Sequence, residues 1–202
     1  MKQSQNIQVI DTDFSKGRLN HQQIISLDDV AKFHGHLCDG LVSGFLSLKE
    51  ALYQLYPNKI IDRTNTVITS KASPCLTDVA IYLTGGRYQF NSFYVSNAIA
   101  YNYIVQRIDN GITFGVKLAN GIKPSIIDEM GNKAVAQQLS PCELDELKKL
   151  EDDFSAKLLS INPPDAFIIE AIKDFYWQPV LENNFIKTDI INKAMPPCEH
   201  SK

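Results

Sequence analysis

The segment from residue 40 to residue 56 constrains the fold most strongly, because its apolar side chains recur at intervals of three and four. These side chains are Leu41, Phe45, Leu48, Leu52 and Leu55. The spacing predicts an amphipathic helix that ends just before Pro57. This helix also carries a strip of small residues, Gly40, Ser43, Gly44 and Ser47. Because small residues let another backbone approach closely, we expect the strip to pack against a second copy in a homodimer, or else against the carboxy-terminal arm around Trp177.

The rest of the chain predicts strands and helices that alternate at first and then form a meander. Strands are expected at residues 64–71, 88–95, 102–108, 112–118 and 166–172, and further helices at residues 26–33, 74–84, 124–138 and 140–159. Asp109-Asn110-Gly111 predicts a tight turn and therefore an antiparallel hairpin near residues 102–118. The predicted fold class is α+β, a mixed β-sheet flanked by helices.

We expect three parts in this chain of 202 residues. An irregular amino-terminal segment occupies residues 1–25, an α+β core domain residues 26–172, and an arm without a zinc-ribbon domain residues 173–202. The net charge of −3 provides no basic surplus for binding nucleic acid. No apolar run is long enough to cross a membrane, and the first twenty residues are polar, so a cytoplasmic protein is expected.

The residues best suited to chemistry lie together in the stretch His34-Gly35-His36-Leu37-Cys38. Imidazole and thiolate are ligands that transition metals such as zinc prefer. His34, His36 and Cys38 would share one face of an extended segment, whereas His34 and Cys38 would pair on a helix. The alternative is a corner between two helices, with these side chains in ordinary hydrogen bonds.

A second candidate site is Ser73-Pro74-Cys75, followed by Asp78. The proline predicts that Cys75 lies in the first turn of a helix, where the helix dipole favours the thiolate form. Asp78 would lie one turn further on, facing the same side. The alternative is that Cys75 is simply a small core residue. Since the chain has four cysteines and no CxxC pair, we expect all of them, including Cys142 and Cys198, to be reduced thiols.

These two blocks together resemble the FmdE-like family, which takes its name from formylmethanofuran dehydrogenase. The first block resembles the HGHxCPG signature of that family, and Cys75 with Asp78-Val79-Ala80-Ile81 and the later Thr84-Gly85 resembles its second block. The resemblance covers roughly residues 26–120. This chain differs at Asp39, where the family usually has proline, and at Gly86, where many members have cysteine.

The resemblance implies an α+β core, dimer formation and a pocket where the two blocks meet. In that pocket His34, His36, Cys38 and Cys75 would be metal ligands, and Cys75 and Asp78 would be the catalytic candidates. We therefore expect a cytoplasmic protein that binds a divalent transition metal, zinc first, and is either an enzyme or an accessory protein. The alternatives are a thiol-redox protein using Cys38 and Cys75, and a non-catalytic component that docks on a larger oxidoreductase complex.

Overall fold

The strands form two mixed sheets in the part of the chain that the computed structural model describes, residues 5–177, 195–196 and 198–199. They are β1 (Asn6–Thr12), β2 (Leu19–Ser26), β3 (Ile60–Asp62), β4 (Thr66–Ser70), β5 (Phe93–Val95), β6 (Tyr103–Arg107), β7 (Thr113–Leu118) and β8 (Phe167–Ala171). The smaller sheet has the order β2-β1-β3 and the larger one the order β5-β4-β6-β7-β8. Pairing is parallel between β1 and β3 and between β4 and β5, and antiparallel elsewhere.

Most of the α-helices of the described residues pack around α2, which lies against the larger sheet, and α4 packs on α5. They are α1 (Leu27–His34), α2 (Asp39–Leu55), α3 (Pro74–Thr84), α4 (Ser125–Val135), α5 (Pro141–Ser160) and α6 (Pro163–Ala166). Helix α2 contacts α3, α5 and strands β6 and β7. The predicted α+β class is confirmed, as is the antiparallel hairpin of β6 and β7.

The apolar face of α2 forms the centre of the core. Its five predicted core residues, Leu41, Phe45, Leu48, Leu52 and Leu55, are all buried. They pack with residues of both sheets and of α3, α4 and α5 in one continuous cluster. The three- and four-residue spacing therefore predicted the buried face of this helix correctly.

The small-residue strip of α2 is covered by α3 and β6 of the same chain. A β-carbon built on Gly44 would lie 2.7 Å from the Tyr103 hydroxyl and 3.1 Å from a methyl group of Leu76. Trp177 packs instead beside Tyr94, with a ring-centroid distance of 5.0 Å. At Gly44 the close neighbours of the strip are therefore residues of the same chain. The homodimer stays a prediction that needs another interface.

The amino-terminal segment, expected to be irregular, forms an antiparallel hairpin, so that prediction is wrong. Strand β1 buries Ile7 and Val9, whereas β2 is an exposed edge strand held by backbone pairing along β1. The sequence of β2 lacks an alternating apolar pattern because nearly all of its side chains face water. Strand β3 was also missed, since it is only three residues long.

The strand expected at residues 88–95 forms only over Phe93–Val95. Residues Tyr88–Phe90 form a 3₁₀ turn, and Asn91 then adopts a left-handed conformation with φ of 52°. Asparagine tolerates this conformation better than most residues. The chain therefore turns before β5 begins and pairs with β4.

Two of the four cysteines form a disulfide, which corrects the expectation of four reduced thiols. Cys142, in the first turn of α5, is bonded to Cys198. Because a disulfide depends on two residues meeting in space, their separation of 56 positions gave no sign of it. The rest of the predicted arm, residues 178–194, 197 and 200–202, lies outside the described residues. No helix of the described residues is long and apolar enough to cross a membrane.

The close packing at Gly44 generates a prediction about stability. We expect Gly44→Ala to lower the free energy of unfolding by about 1–3 kcal/mol, because the added methyl group would overlap the Tyr103 hydroxyl. Chemical denaturation of both proteins measures the difference. The matched control is Gly131→Ala in α4, where an added β-carbon meets nothing within 4 Å. Equal stability of the Gly44 variant and the wild type would contradict the packing argument.

Candidate metal centre

The first block of candidate residues forms the corner between α1 and α2. His34 is the last residue of α1, and Gly35 ends this helix in a left-handed conformation with φ of 109°. Cys38 is the N-cap of α2, and its Sγ accepts a hydrogen bond from the Leu41 N–H at 3.3 Å. The block is therefore neither one extended segment nor one helix. It is a corner between two helices, which was the alternative interpretation of the sequence.

This corner nevertheless brings three potential ligands together. Ligand atoms of His34, His36 and Cys38 all lie within 4.8 Å of one another. The two imidazole rings are 4.7 Å apart between centroids. His34 is buried, Cys38 is half-buried and His36 is exposed, so the cluster opens to solvent on the His36 side.

Helix α3 brings Cys75 to the same place. Cys75 lies in the first turn of α3, as predicted, and its Sγ is 3.4 Å from the Sγ of Cys38. The two are not joined in a disulfide. Gly40 makes this approach possible, because a β-carbon there would lie 2.9 Å from the Cys75 Sγ. The two blocks of the sequence thus meet where the starts of α2 and α3 come together.

The surroundings of Cys38 favour its thiolate. The hydrogen bond with Cys75 is the main cause that lowers the pKa of Cys38, and the Leu41 N–H and nearby His34 lower it further. Burial and the neighbouring Asp39 act in the opposite direction, yet the net pKa is below the usual value. A thiolate is the form of cysteine that binds metals or attacks electrophiles.

Asp78 fixes the orientation of the buried His34 ring. Its Oδ2 lies 2.8 Å from the Nδ1 of His34. Since an ionised carboxylate only accepts hydrogen bonds, Nδ1 donates in this contact, and in the neutral imidazole the lone pair is then on Nε2. A carboxylate bound to the second nitrogen in this way is the usual support of a metal-binding histidine.

A charged group beside this corner was not predicted from the sequence. The Nζ of Lys123 lies 3.1 Å from the Asp39 carboxylate and 2.9 Å from that of Asp128. Glu151 of α5 is nearby, and burial followed by the Asp39 charge raises the pKa of Glu151 to about 7. Lys123 follows Asp39 by 84 positions in the sequence, so no local pattern connects them.

Tyr103 is a second residue that the sequence did not single out. It is fully buried in β6, and its hydroxyl donates a hydrogen bond to the Leu76 carbonyl at 3.0 Å. Burial raises the pKa of Tyr103 well above its usual value, with nearby Cys75 and Asp78 adding to the effect. Tyr103 therefore supports the first turn of α3 as a neutral hydrogen-bond donor.

The chain belongs to the FmdE family. Residues 33–168 match the family described as "FmdE, Molybdenum formylmethanofuran dehydrogenase operon". This range contains His34, His36, Cys38, Cys75 and Asp78 and extends well beyond residue 120, where the resemblance visible in the motifs ends. A comparison with curated proteins finds no match to the chain.

The donor set fits a transition metal. Two imidazoles and a thiolate supply the nitrogen and sulfur ligands that zinc prefers, and Cys75 adjoins them as a further sulfur ligand. When two thiolates bind one tetrahedral zinc ion, each with a zinc–sulfur distance of about 2.3 Å, their sulfur atoms lie about 3.8 Å apart. The observed 3.4 Å between the two Sγ atoms needs only a small adjustment to reach that value.

The contact between Asp78 and His34 generates a prediction about affinity. We expect Asp78→Asn to weaken metal binding about 10–100-fold, because the amide replaces a charged acceptor by a neutral one. Competition with a chromogenic chelator measures the affinity. Asp28→Asn, on the exposed side of α1, removes the same charge outside the cluster and is the control. Unchanged affinity in the Asp78 variant would show that His34 does not bind the metal through this arrangement.

Proposed function

We propose that this FmdE family member is a cytoplasmic metal-binding protein. Its candidate metal centre would hold a divalent transition metal, with zinc as the first candidate. The observation that carries the proposal is the convergence of His34, His36 and Cys38 within 4.8 Å. The alternative interpretation is a corner between two helices in which these three side chains make only ordinary hydrogen bonds. That interpretation does not by itself explain why three metal-ligand atoms converge there.

The position of Cys75 distinguishes a catalytic from a structural site. If His34, His36 and Cys38 bind the metal alone, one coordination position remains open, and zinc bound in this way lowers the pKa of a bound water to about 7. If Cys75 is also a ligand, four protein ligands make a closed site. The exposed His36 favours the open arrangement, because substrate can reach the cluster from its side.

The residues around the cluster have distinct roles in this proposal. Asp78 positions His34 through Nδ1, so it acts through that imidazole. Cys75 lies against Cys38 and is available as a fourth ligand or as the group that contacts substrate. Lys123 balances the Asp39 charge at the start of α2, and thereby limits the repulsion between that carboxylate and the Cys38 thiolate.

The test is elemental analysis of the full chain purified without added metal. We expect about one metal ion per chain in the wild type and a loss of most of it in the double variant His36→Ala, Cys38→Ala. His21→Ala removes an exposed imidazole outside the cluster and should retain the metal. A wild-type protein that is folded and metal-free, and that fails to take up added zinc, would refute the proposal.

A thiol-redox protein is the second candidate, favoured by the 3.4 Å between the Sγ atoms of Cys38 and Cys75. A disulfide requires about 2.05 Å, so the two sulfurs need to approach by less than about 1.5 Å. The lowered pKa of Cys38 makes it the attacking thiolate. Cys38 would attack glutathione disulfide, release one glutathione thiolate and form a mixed disulfide. Cys75 would then displace the second glutathione.

The redox candidate predicts a reversible bond between residues 38 and 75. After treatment with glutathione disulfide, peptide mapping should find this disulfide, and dithiothreitol should remove it. Cys75→Ser is the informative variant, since it should retain glutathione on Cys38. If the two thiols of the wild type instead react independently, or if bound metal blocks both, the thiol-redox function is excluded.

A further inference from the structure

Two cavities at the far end of α3 from the metal centre share a pair of arginines. One cavity, of about 340 Å³, is lined by Arg63, Arg87 and polar residues that include Asn91 and Ser92. The other, of about 320 Å³, has the same two arginines beside Phe33 and Tyr82. Two of the four arginines of the chain therefore face the same part of the surface.

Arg63 is held in place with unused hydrogen-bonding capacity. Its Nε is buried and has no hydrogen-bond partner among the described residues. Its only ion pair in that part of the chain is with Asp11, at 3.6 Å, which is beyond hydrogen-bond distance. The guanidinium lies over Gly85, where a β-carbon would come within 2.8 Å of Nε. Gly85 has φ of 66° at the end of α3, so the turn that ends this helix also makes room for Arg63.

Arg87 places a second positive charge beside the first. It is exposed, and its Nη1 donates a hydrogen bond to the Gly85 carbonyl at 3.2 Å. Its backbone N–H bonds the Ser92 hydroxyl, which fixes the loop that carries it. Burial lowers the pKa of Arg63, and the proximity of Arg87 contributes in the same direction. Among the residues that line the two cavities, Asp11 is the only carboxylate facing these two guanidinium groups.

We propose that Arg63 and Arg87 form an anion-binding site for the phosphate or carboxylate group of a small organic molecule. Guanidinium groups present two parallel donors to such oxygens, and a bound anion would offset the positive charge that Asp11 alone leaves unbalanced. The hydroxyl of Ser92 and the amide of Asn91 line the same cavity as further polar groups. The aromatic rings of Phe33 and Tyr82, 5.3 Å apart, line the neighbouring cavity and would accept an apolar part of the ligand.

This site is independent of the proposed metal function. No residue that lines either cavity belongs to the cluster of His34, His36, Cys38, Cys75 and Asp78. Phe33, however, directly precedes His34 in α1. The arginines themselves lie outside α1, so the two sites can be tested separately.

The experiment is isothermal titration calorimetry of the full chain with inorganic phosphate and, separately, with malonate, at constant ionic strength. We expect saturable binding of at least one anion and an increase in Kd of about tenfold or more in Arg87→Gln, because a charge-assisted hydrogen bond is lost. Phosphate alone would indicate a phosphate ester as the ligand, malonate alone a carboxylate, and both a less selective oxyanion site. Arg18→Gln, an exposed arginine outside the cavities, controls for net charge and should bind like the wild type.

Two further variants make the result decisive. Arg63→Gln should also weaken anion binding, and circular dichroism shows whether this variant folds. Because Arg87 is exposed, the Arg87→Gln variant tests the site even if the Arg63 variant does not fold. The double variant His36→Ala, Cys38→Ala should bind the anion as the wild type does. No saturable binding of either anion would overturn the proposal. Equal binding by Arg87→Gln, or loss of binding in the metal-centre variant, would overturn it as well.

Discussion

The close approach of α2 and α3 is the constraint on which the candidate site depends. Gly40 and Gly44 lie on the edge of α2 that faces α3, and a β-carbon at either position would collide with Cys75 or Tyr103. Their lack of side chains lets the first turn of α3 reach the start of α2. The thiols of Cys38 and Cys75 meet for this reason, although 37 positions separate them. A small change in helix packing therefore changes the chemistry available at the corner.

Electrostatics at this corner favour the negatively charged form of the Cys38 thiol. Cys38 accepts a hydrogen bond from the Leu41 amide at the start of α2, where the helix dipole stabilises a thiolate. Asp39 adds a carboxylate to the same region, and Lys123 from a distant loop is positioned to balance it. At the other end of α3, the charged side chains are mainly positive. Arg63 and Arg87 lie there, and Asp11 is the only carboxylate among the residues that line the two cavities. One helix thus connects a cluster suited to a cation with a pair of arginines suited to an anion.

The parts of the fold that follow a regular apolar pattern could be predicted from the sequence. Helix α2 shows its buried face as a three- and four-residue spacing, and α5 shows its start as Ser140 with Glu143 in a capping box. Strand β2 could not be found in this way, since an exposed edge strand depends on backbone pairing with β1 and needs few apolar side chains. The Cys142–Cys198 disulfide was likewise hidden, because its partners meet only after folding.

By itself, the sequence determined which side chains could bind a metal, the helix that carries Cys75, and the family to which the chain belongs. These depend on residue type and short spacing, which are local properties. Only the tertiary structure decided that α3 covers the small-residue strip, that Asp78 orients His34, and that Lys123 faces Asp39. Each of these contacts joins residues that are far apart in the sequence. Such contacts arise from the packing of helices on a sheet, and side-chain periodicity along the chain carries no record of them.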